Sequence, residues 1–195
     1  MTGVQTCALP ICHTQRFTQC WWALDSDLAH QRHYPAIDWL TSYSLYLDQV
    51  AGWWSEEVDE NWKEFRHQAM EILRKESSLQ QLVQLVGADA LSNEQQWVLT
   101  GARMLREGFL QQNALHETDA YAVPEKQVSL LHLILRVYEK GRKLLNKGTD
   151  LDQIHDSFNM VEIIRLREQV ENEKLKKIED TMNKILEEMD KSVDG

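Results

Sequence analysis

A helical repeat of apolar residues governs most of this 195-residue chain. From about residue 56 onward, apolar side chains recur at steps of three and four, with charged residues between them. The stripes comprise Trp62, Phe65, Ala69, Ile72 and Leu73, then Val98, Ala102 and Leu105, then Leu131, Ile134, Leu135 and Tyr138. Each stripe must be buried against another element, so the pattern predicts a mainly α chain that forms an antiparallel helical bundle.

Local signals predict where these helices begin and end. Gly87 is suited to end the first long pattern, which we expect to continue past Leu79 as a second short or turn-linked helix. "SNEQ" at 92–95 is a capping box that begins the next helix. Beyond "NKG" at 146–148, one long helix is predicted over roughly 160–190, with a coiled-coil-like seam. Its seam residues are Leu175, Ile178, Met182, Ile185 and Met189.

The segment before residue 56 has a different character. "FTQCWWAL" at 17–24 predicts a short strand, and Asp25 or Ser26 can cap a helical turn after it. Pro35 favours an extended conformation at Tyr34. Six of the seven tryptophans precede residue 63, so we expect this segment to cover a neighbouring surface and to be exposed in the chain alone.

Composition excludes some classes of function. The formal net charge is -10, which argues against nonspecific nucleic-acid binding, because phosphate affinity needs clustered Lys and Arg. No apolar run has membrane-spanning length, so any membrane association is expected to go through partners. The three cysteines, at positions 7, 12 and 20, form no disulfide or zinc pattern, which indicates a reducing compartment.

The first twelve residues, "MTGVQTCALPIC", fit nothing that follows. They carry no charge, no helical period and no signal-peptide layout. They resemble a common sequencing adapter translated in frame, although a short genuine strand is the alternative. We therefore exclude 1–12 from fold reasoning and expect that the natural protein extends upstream.

The residues alone indicate no catalytic centre. The chain has no phosphate loop, no HExxH or GxSxG motif and no dinucleotide fingerprint. Two segments are suited to contact a ligand: "HYPA" at 33–36, with Tyr34, and "FLQQNALH" at 109–116, with Phe109, Ala114 and Leu115. An aromatic ring and small apolar groups can sandwich a purine, but the residues alone favour the simpler interpretation that Tyr34, Phe109 and Leu115 are ordinary core contacts.

Three segments, 22–44, 82–95 and 109–121, carry a family resemblance in the same order and at compatible spacing. They read "WALDSDLAHQRHYPAIDWLTSYS", "LVQLVGADALSNEQ" and "FLQQNALHETDAY". Together they resemble the catalytic A subunit of archaeal and vacuolar-type rotary ATPases over essentially everything after residue 12. The resemblance implies that 13–55 is the C-terminal edge of an α/β P-loop nucleotide-binding domain and that 56–195 is the C-terminal helical domain.

The resemblance also implies a nucleotide site without its phosphate side. Tyr34 would pack on the adenine ring of ATP or ADP, and Phe109, Ala114 and Leu115 would supply the other wall. The family usually has an aromatic residue where Leu115 stands. The phosphate loop, the Mg²⁺ ligands and the catalytic glutamate would lie upstream, so this chain would hold no catalytic or metal-binding residue of its own.

Further implications concern partners. "GADALSNEQ" at 87–95 resembles in position the segment of the related F-type beta subunit that pushes on the central rotor, which implies that Asp89, Ser92 and Glu94 contact the rotor. The capping box of Ser92 and Gln95 also explains this segment as a plain capped turn. The full subunit would alternate with B subunits in a hexamer at the cytoplasmic face of a membrane and couple ATP hydrolysis or synthesis to proton or sodium transport. Composition and periodicity alone fit a noncatalytic helical interaction module equally well; only the three matched segments separate the two readings.

Overall fold

A computed structural model of the protein describes residues 18–87 and 90–191. The predictions made for 1–12 and for Asp89 fall outside these ranges. Within them the chain is mainly α, as the apolar periodicity predicts, with one two-stranded sheet at its start. No helix in these ranges is both long and apolar enough to cross a membrane.

The start of the described chain is a hairpin interrupted by a short helix. Strand β1 (Cys20–Leu24) pairs antiparallel with β2 (Ile37–Ser44), and helix α1 (Ser26–His30) lies between them. Asp25 caps α1, because its carboxylate accepts from the backbone N–H groups of Asp27 and Leu28. Trp22 is 69% exposed, in line with the expected bare surface.

The helices then follow one another closely. Their bounds are α2 (Leu47–Glu57), α3 (Trp62–Val86), α4 (Asn93–Leu105), the π-helical turn π1 (Arg106–Leu110), α5 (Pro124–Asn146), α6 (Leu151–Asp156), α7 (Met160–Gln169) and α8 (Lys176–Lys191). The pattern after Leu79 predicts a separate short helix, but in the structure it continues α3 without a break. Leu85 is 83% exposed, so the apolar residues there do not mark a further buried face.

Helix α5 is the centre of the bundle. It contacts α3, α4, α7 and α8, and its predicted stripe of Leu131, Ile134, Leu135 and Tyr138 is buried. Trp97 of α4 is 1% exposed and donates its indole N–H to the Tyr138 carbonyl at 2.9 Å. A bulky ring can lie this close to α5 because position 141 is glycine; a Cβ there would collide with the indole.

The predicted single helix over 160–190 is wrong. Two helices, α7 and α8, are separated by residues 170–175. Val170 ends α7 in an extended conformation and is fully buried. Asn172, within the break, donates to the Tyr121 carbonyl at 3.1 Å and accepts from the Val123 N–H at 3.2 Å. These long-range contacts stabilise the break between α7 and α8. The spacing of apolar residues at steps of three and four cannot predict them.

Candidate functional site

The first ligand-wall segment follows the end of α1. Arg32 adopts a left-handed backbone with φ of 58°, and the His33 N–H donates to the Leu28 carbonyl, which together form a Schellman-type helix end. The chain then turns through Tyr34 and a cis peptide bond to Pro35. The Tyr34 side chain is 55% exposed at the surface.

The second segment begins with π1. The wide turn closes when the Gln111 N–H donates to the Arg106 carbonyl at 2.8 Å, five residues back. Gly108 is buried there, and a Cβ on it would lie 3.4 Å from Ile134 and 3.6 Å from the Cα of Ile164. The glycine therefore lets the turn lie close to α5 and α7, while the chain beyond it leaves the bundle.

The two segments meet directly. The Gln112 N–H donates to the Tyr34 carbonyl at 2.7 Å. A cavity of about 260 Å³ lies at this junction and is lined by Pro35, Phe109 and Gln127, among other residues. Ala114 and Leu115 are exposed, Leu115 to 97%. The structure thus brings all four predicted wall residues into one region, with Tyr34, Ala114 and Leu115 open to solvent.

Phe109 differs from the other three because its side chain is half-buried. It lines the junction cavity and also a smaller one of about 170 Å³ beside Trp54 and Trp62. Those two indoles are stacked with centroids 5.4 Å apart. Three larger clefts, of about 780, 590 and 370 Å³, lie elsewhere, and none of them is lined by a residue of either wall segment.

A buried charged cluster holds the loop after Gln112 onto α7. Asp119 pairs with Arg167, which also donates from Nε to the Glu107 carbonyl at 3.1 Å. Lys126, which is fully buried, donates from Nζ to the carbonyls of Thr118 and Arg167, both at 2.8 Å. Burial lowers the pKa of Lys126, and the neighbouring Asp119 carboxylate opposes that shift.

Sequence reasoning did not find this cluster. Asp119, Lys126 and Arg167 lie 7 and 41 residues apart along the chain and form no motif. Charged residues usually lie at the surface, so nothing marked Lys126 as buried. The sequence places His33 within "HYPA" at 33–36 but predicts no role for it. In the structure its ring is 7% exposed, and Nε2 lies 3.1 Å from the Arg106 carbonyl.

The predicted rotor-contact residues lie at the other end of α4. Ser92 and Gln95 form the predicted capping box, with reciprocal bonds of 3.3 and 3.0 Å. Glu94 is exposed, and Asp89 lies outside the described residues. The 13 residues of α4 separate this corner from π1 by about 20 Å, at 1.5 Å of rise per residue.

Among residues 18–87 and 90–191, no three His, Cys, Asp or Glu side chains are grouped so that they could hold a metal ion. His132 of α5 stacks on Phe65 with ring centroids 4.9 Å apart. Burial lowers its pKa from the usual 6.5.

Comparison with known proteins identifies relatives over nearly the whole chain. Residues 51–155 match the family described as the C-terminal domain of V and A type ATP synthase. The A subunit of the A-type ATP synthase of Methanopyrus kandleri is 46% identical over 182 residues, covering 93% of this chain and 31% of that protein. The V-type ATP synthase alpha chain of Halothermothrix orenii is 42% identical over 175 residues, covering 90% and 30%.

This chain thus spans about a third of the length of the curated relatives it matches. A solved structure, that of a unique ATP synthase subunit NeqB from Nanoarcheaum equitans, superposes with a TM-score of 0.55. The superposition covers 71% of this chain and 32% of the NeqB chain, at 20% sequence identity. At that identity the superposition supports the fold alone.

Proposed function

This chain belongs to the family of the C-terminal domain of V- and A-type ATP synthases, and we propose that it is the C-terminal part of a catalytic A subunit. In the complete subunit it binds the adenine end of ATP or ADP. Its helical domain carries the resulting motion to the rotor. The observation that supports this most is the bond from the Gln112 N–H to the Tyr34 carbonyl, which joins two segments 78 residues apart into one surface.

The chemistry of that surface suits a flat, apolar base with polar edges. Tyr34 presents an exposed ring, and Ala114 and Leu115, which follow Gln112 by two and three residues, present exposed apolar groups. Stacking on one aromatic side chain contributes about 1–3 kcal/mol per base. Leu115 adds dispersion contacts without ring–ring stacking, so Tyr34 carries the larger share of base affinity.

The phosphates are held elsewhere in this proposal. The described residues contain no group of metal ligands, and the sequence contains no phosphate loop. Segments upstream of this chain supply the phosphate loop, the Mg²⁺ ligands and the catalytic glutamate, and an adjacent B subunit supplies an arginine. Mg²⁺ held by those upstream segments would offset the negative charge of the phosphates. The chain alone is therefore expected to bind ATP weakly and not to hydrolyse it.

The domain assignment follows from the same proposal. Residues 13–55 are the edge of the nucleotide-binding domain, and 56–195 are the C-terminal helical domain. B subunits alternate with the complete protein in a hexamer that couples ATP hydrolysis or synthesis to proton or sodium transport, at the cytoplasmic side and peripheral to the membrane. The capped corner of Ser92 and Glu94, together with Asp89, faces the rotor stalk.

A chimeric protein tests the base-binding role. Residues 18–195 would replace the matching C-terminal part of the Methanopyrus kandleri relative, and the complex would be assembled with the remaining subunits. We expect ATP hydrolysis by the chimera. Tyr34→Ala should raise KM for ATP about tenfold, since about 1.4 kcal/mol of stacking is lost.

Two controls isolate the ring at position 34. Tyr34→Phe keeps the stacking surface and should leave KM within about twofold of the chimera. Tyr121→Ala removes a ring that is 68% exposed in the loop that carries Leu115, and it should leave KM unchanged. An assembled chimera that hydrolyses no ATP, or a Tyr34→Ala variant with unchanged KM, would refute the proposed function.

The rotor contact is tested separately by crosslinking. An Asp89→Cys chimera whose thiol carries a maleimide-linked photocrosslinker should form an adduct with a protein of the central stalk when the assembled complex is irradiated. Arg74→Cys, at an exposed position in the middle of α3, serves as the control. Absence of any Asp89→Cys adduct in an intact complex would refute the contact.

A further inference from the structure

His33 lies where the two wall segments meet, and it is buried although the adjacent Tyr34 is exposed. Its ring is 7% exposed and lies at a tilt against Trp39, with centroids 5.7 Å apart. The Nε2 atom is 3.1 Å from the Arg106 carbonyl. Because a carbonyl can only accept, Nε2 carries the proton and donates it.

The Arg106 carbonyl joins three parts of the site. It accepts from the Gln111 N–H, which closes π1, and from His33, which belongs to the Tyr34 segment. The next N–H along the chain, that of Gln112, donates to Tyr34 itself. A carbonyl oxygen has two lone pairs, so the wide turn leaves one free for His33. Two hydrogen bonds in opposite directions therefore join the segments: His33 donates to the Arg106 carbonyl, and Gln112 donates to the Tyr34 carbonyl.

Apart from the bond to Arg106, nothing about the ring explains why a histidine and not an apolar residue is buried at position 33. Its Nδ1 atom is buried with no hydrogen-bond partner in the described part of the chain. Buried polar groups normally find partners, and burying one without a partner costs about 1–3 kcal/mol. An apolar side chain would avoid that cost. Its one hydrogen bond is the gain that histidine offers at this position.

We propose that His33 is a positioning residue that fixes the Tyr34 edge against the Phe109–Leu115 wall by donating from Nε2 to the Arg106 carbonyl. That the positioned Tyr34 binds a purine base rests on the proposed function. The positioning itself does not depend on it. His33 contacts no ligand; it acts by holding the backbone that presents Tyr34.

Amide hydrogen exchange in the 195-residue chain tests the positioning. His33→Leu should speed exchange at the Gln111 and Gln112 amides by about fivefold to tenfold, the effect of one net hydrogen bond. The amide of Leu133, in the core of α5, reports global opening and serves as the internal reference. The quantity compared between variants is the acceleration of exchange at Gln111 and Gln112 relative to the acceleration at Leu133.

Rescue separates the hydrogen bond from the space that the ring fills. His33→Gln places an amide N–H near the position of Nε2 and should restore slow exchange at both residues. His33→Asn is shorter, cannot reach the carbonyl and should behave like the Leu variant. The Asn variant also replaces the Leu variant if the latter does not fold. Equal acceleration at Leu133 and Gln112, or a Gln variant that exchanges like Leu, would overturn the proposal.

An adenosine titration distinguishes failure of the positioning from failure of the function. In the wild-type chain, millimolar adenosine should shift the backbone amide resonances of Tyr34 and Leu115. His33→Leu should weaken this binding about fivefold, and His33→Gln should restore it. No shift in the wild type would count against the base site, while the exchange rates would still decide the role of His33.

Discussion

Replacing Asp119 by Asn removes the anion from the buried cluster that anchors the wall loop. The Asp119 and Arg167 side chains are 6% and 9% exposed, so water screens neither charge effectively. Lys126, a second buried cation, donates to the carbonyl of Arg167. After the substitution, two buried cations would face each other without the carboxylate between them.

The structure sets the size of the effect. Removing one partner of a buried ion pair costs about 3–5 kcal/mol, because the other charge is left unpaired. Asn keeps an oxygen that can accept from Arg167, and Glu168 remains 3.4 Å from that guanidinium with a side chain that is 32% exposed. We therefore expect Asp119→Asn to lower the free energy of unfolding by about 3 kcal/mol, the lower end of that range. For a chain of this size, this loss corresponds to a fall in Tm of about 6–12 °C.

Urea unfolding followed by far-UV circular dichroism and tryptophan fluorescence measures this loss. A double-mutant cycle with Arg167→Met should give a coupling energy of about 1–3 kcal/mol. Arg103→Gln, which breaks an exposed pair with Glu107, is the control and should change stability by less than about 0.5 kcal/mol. A loss below about 1 kcal/mol for Asp119→Asn, with no coupling to Arg167, would refute the reasoning.

The same variant should change the pH dependence of stability. Burial lowers the pKa of Lys126 from 10.5, and Asp119 opposes the shift. Between the lowered value and 10.5 the unfolded chain binds more protons than the folded chain, so the free energy of unfolding rises with pH in that window. Without Asp119 the pKa falls further and the window widens toward neutral pH. Between about pH 7 and 10, the free energy of unfolding should rise more steeply with pH in Asp119→Asn than in the wild-type chain.

Three further predictions concern the bundle. Gly141→Ala should cost about 1–3 kcal/mol in urea unfolding because its Cβ would collide with Trp97, whereas Gly52→Ala, with nothing within 4 Å, should gain up to about 1 kcal/mol. Burial lowers the pKa of His132 from 6.5, so the unfolded chain binds more protons just below pH 6.5 and stability falls as the pH drops through that window; a His132→Gln variant should lack this component. Ser92→Ala should cost about 1 kcal/mol, measured in the same way, because the capping box is lost.

Local signals predicted the parts of the fold that local forces determine. The stripe through Ile134 and the Ser92 capping box both appear in the structure as expected. The break between α7 and α8 was missed, because Asn172 is held by groups about 50 residues away and no local breaker accompanies it. A regular period of apolar residues predicts burial along a face and does not predict continuity of the helix.

The candidate site depended more on long-range information. Residue types marked Tyr34 and Leu115 only as possible ligand contacts, and the family resemblance was needed to assign them to one site, since nothing local links the two segments. Lys126 could not be predicted to be buried, because its burial depends on two carbonyl acceptors supplied by the folded loop and α7. The role inferred for His33 required the π-helical turn, which no residue pattern specified.

Photolabelling tests the central claim most directly. The assembled chimeric complex would be irradiated with an adenine nucleotide that carries an azide on the base, and the attachment sites would be mapped by mass spectrometry. The account predicts adducts on Tyr34 or within residues 109–115 that excess ATP suppresses. Labelling confined to other positions, with Tyr34 and 109–115 unmodified in a complex that hydrolyses ATP, would contradict it.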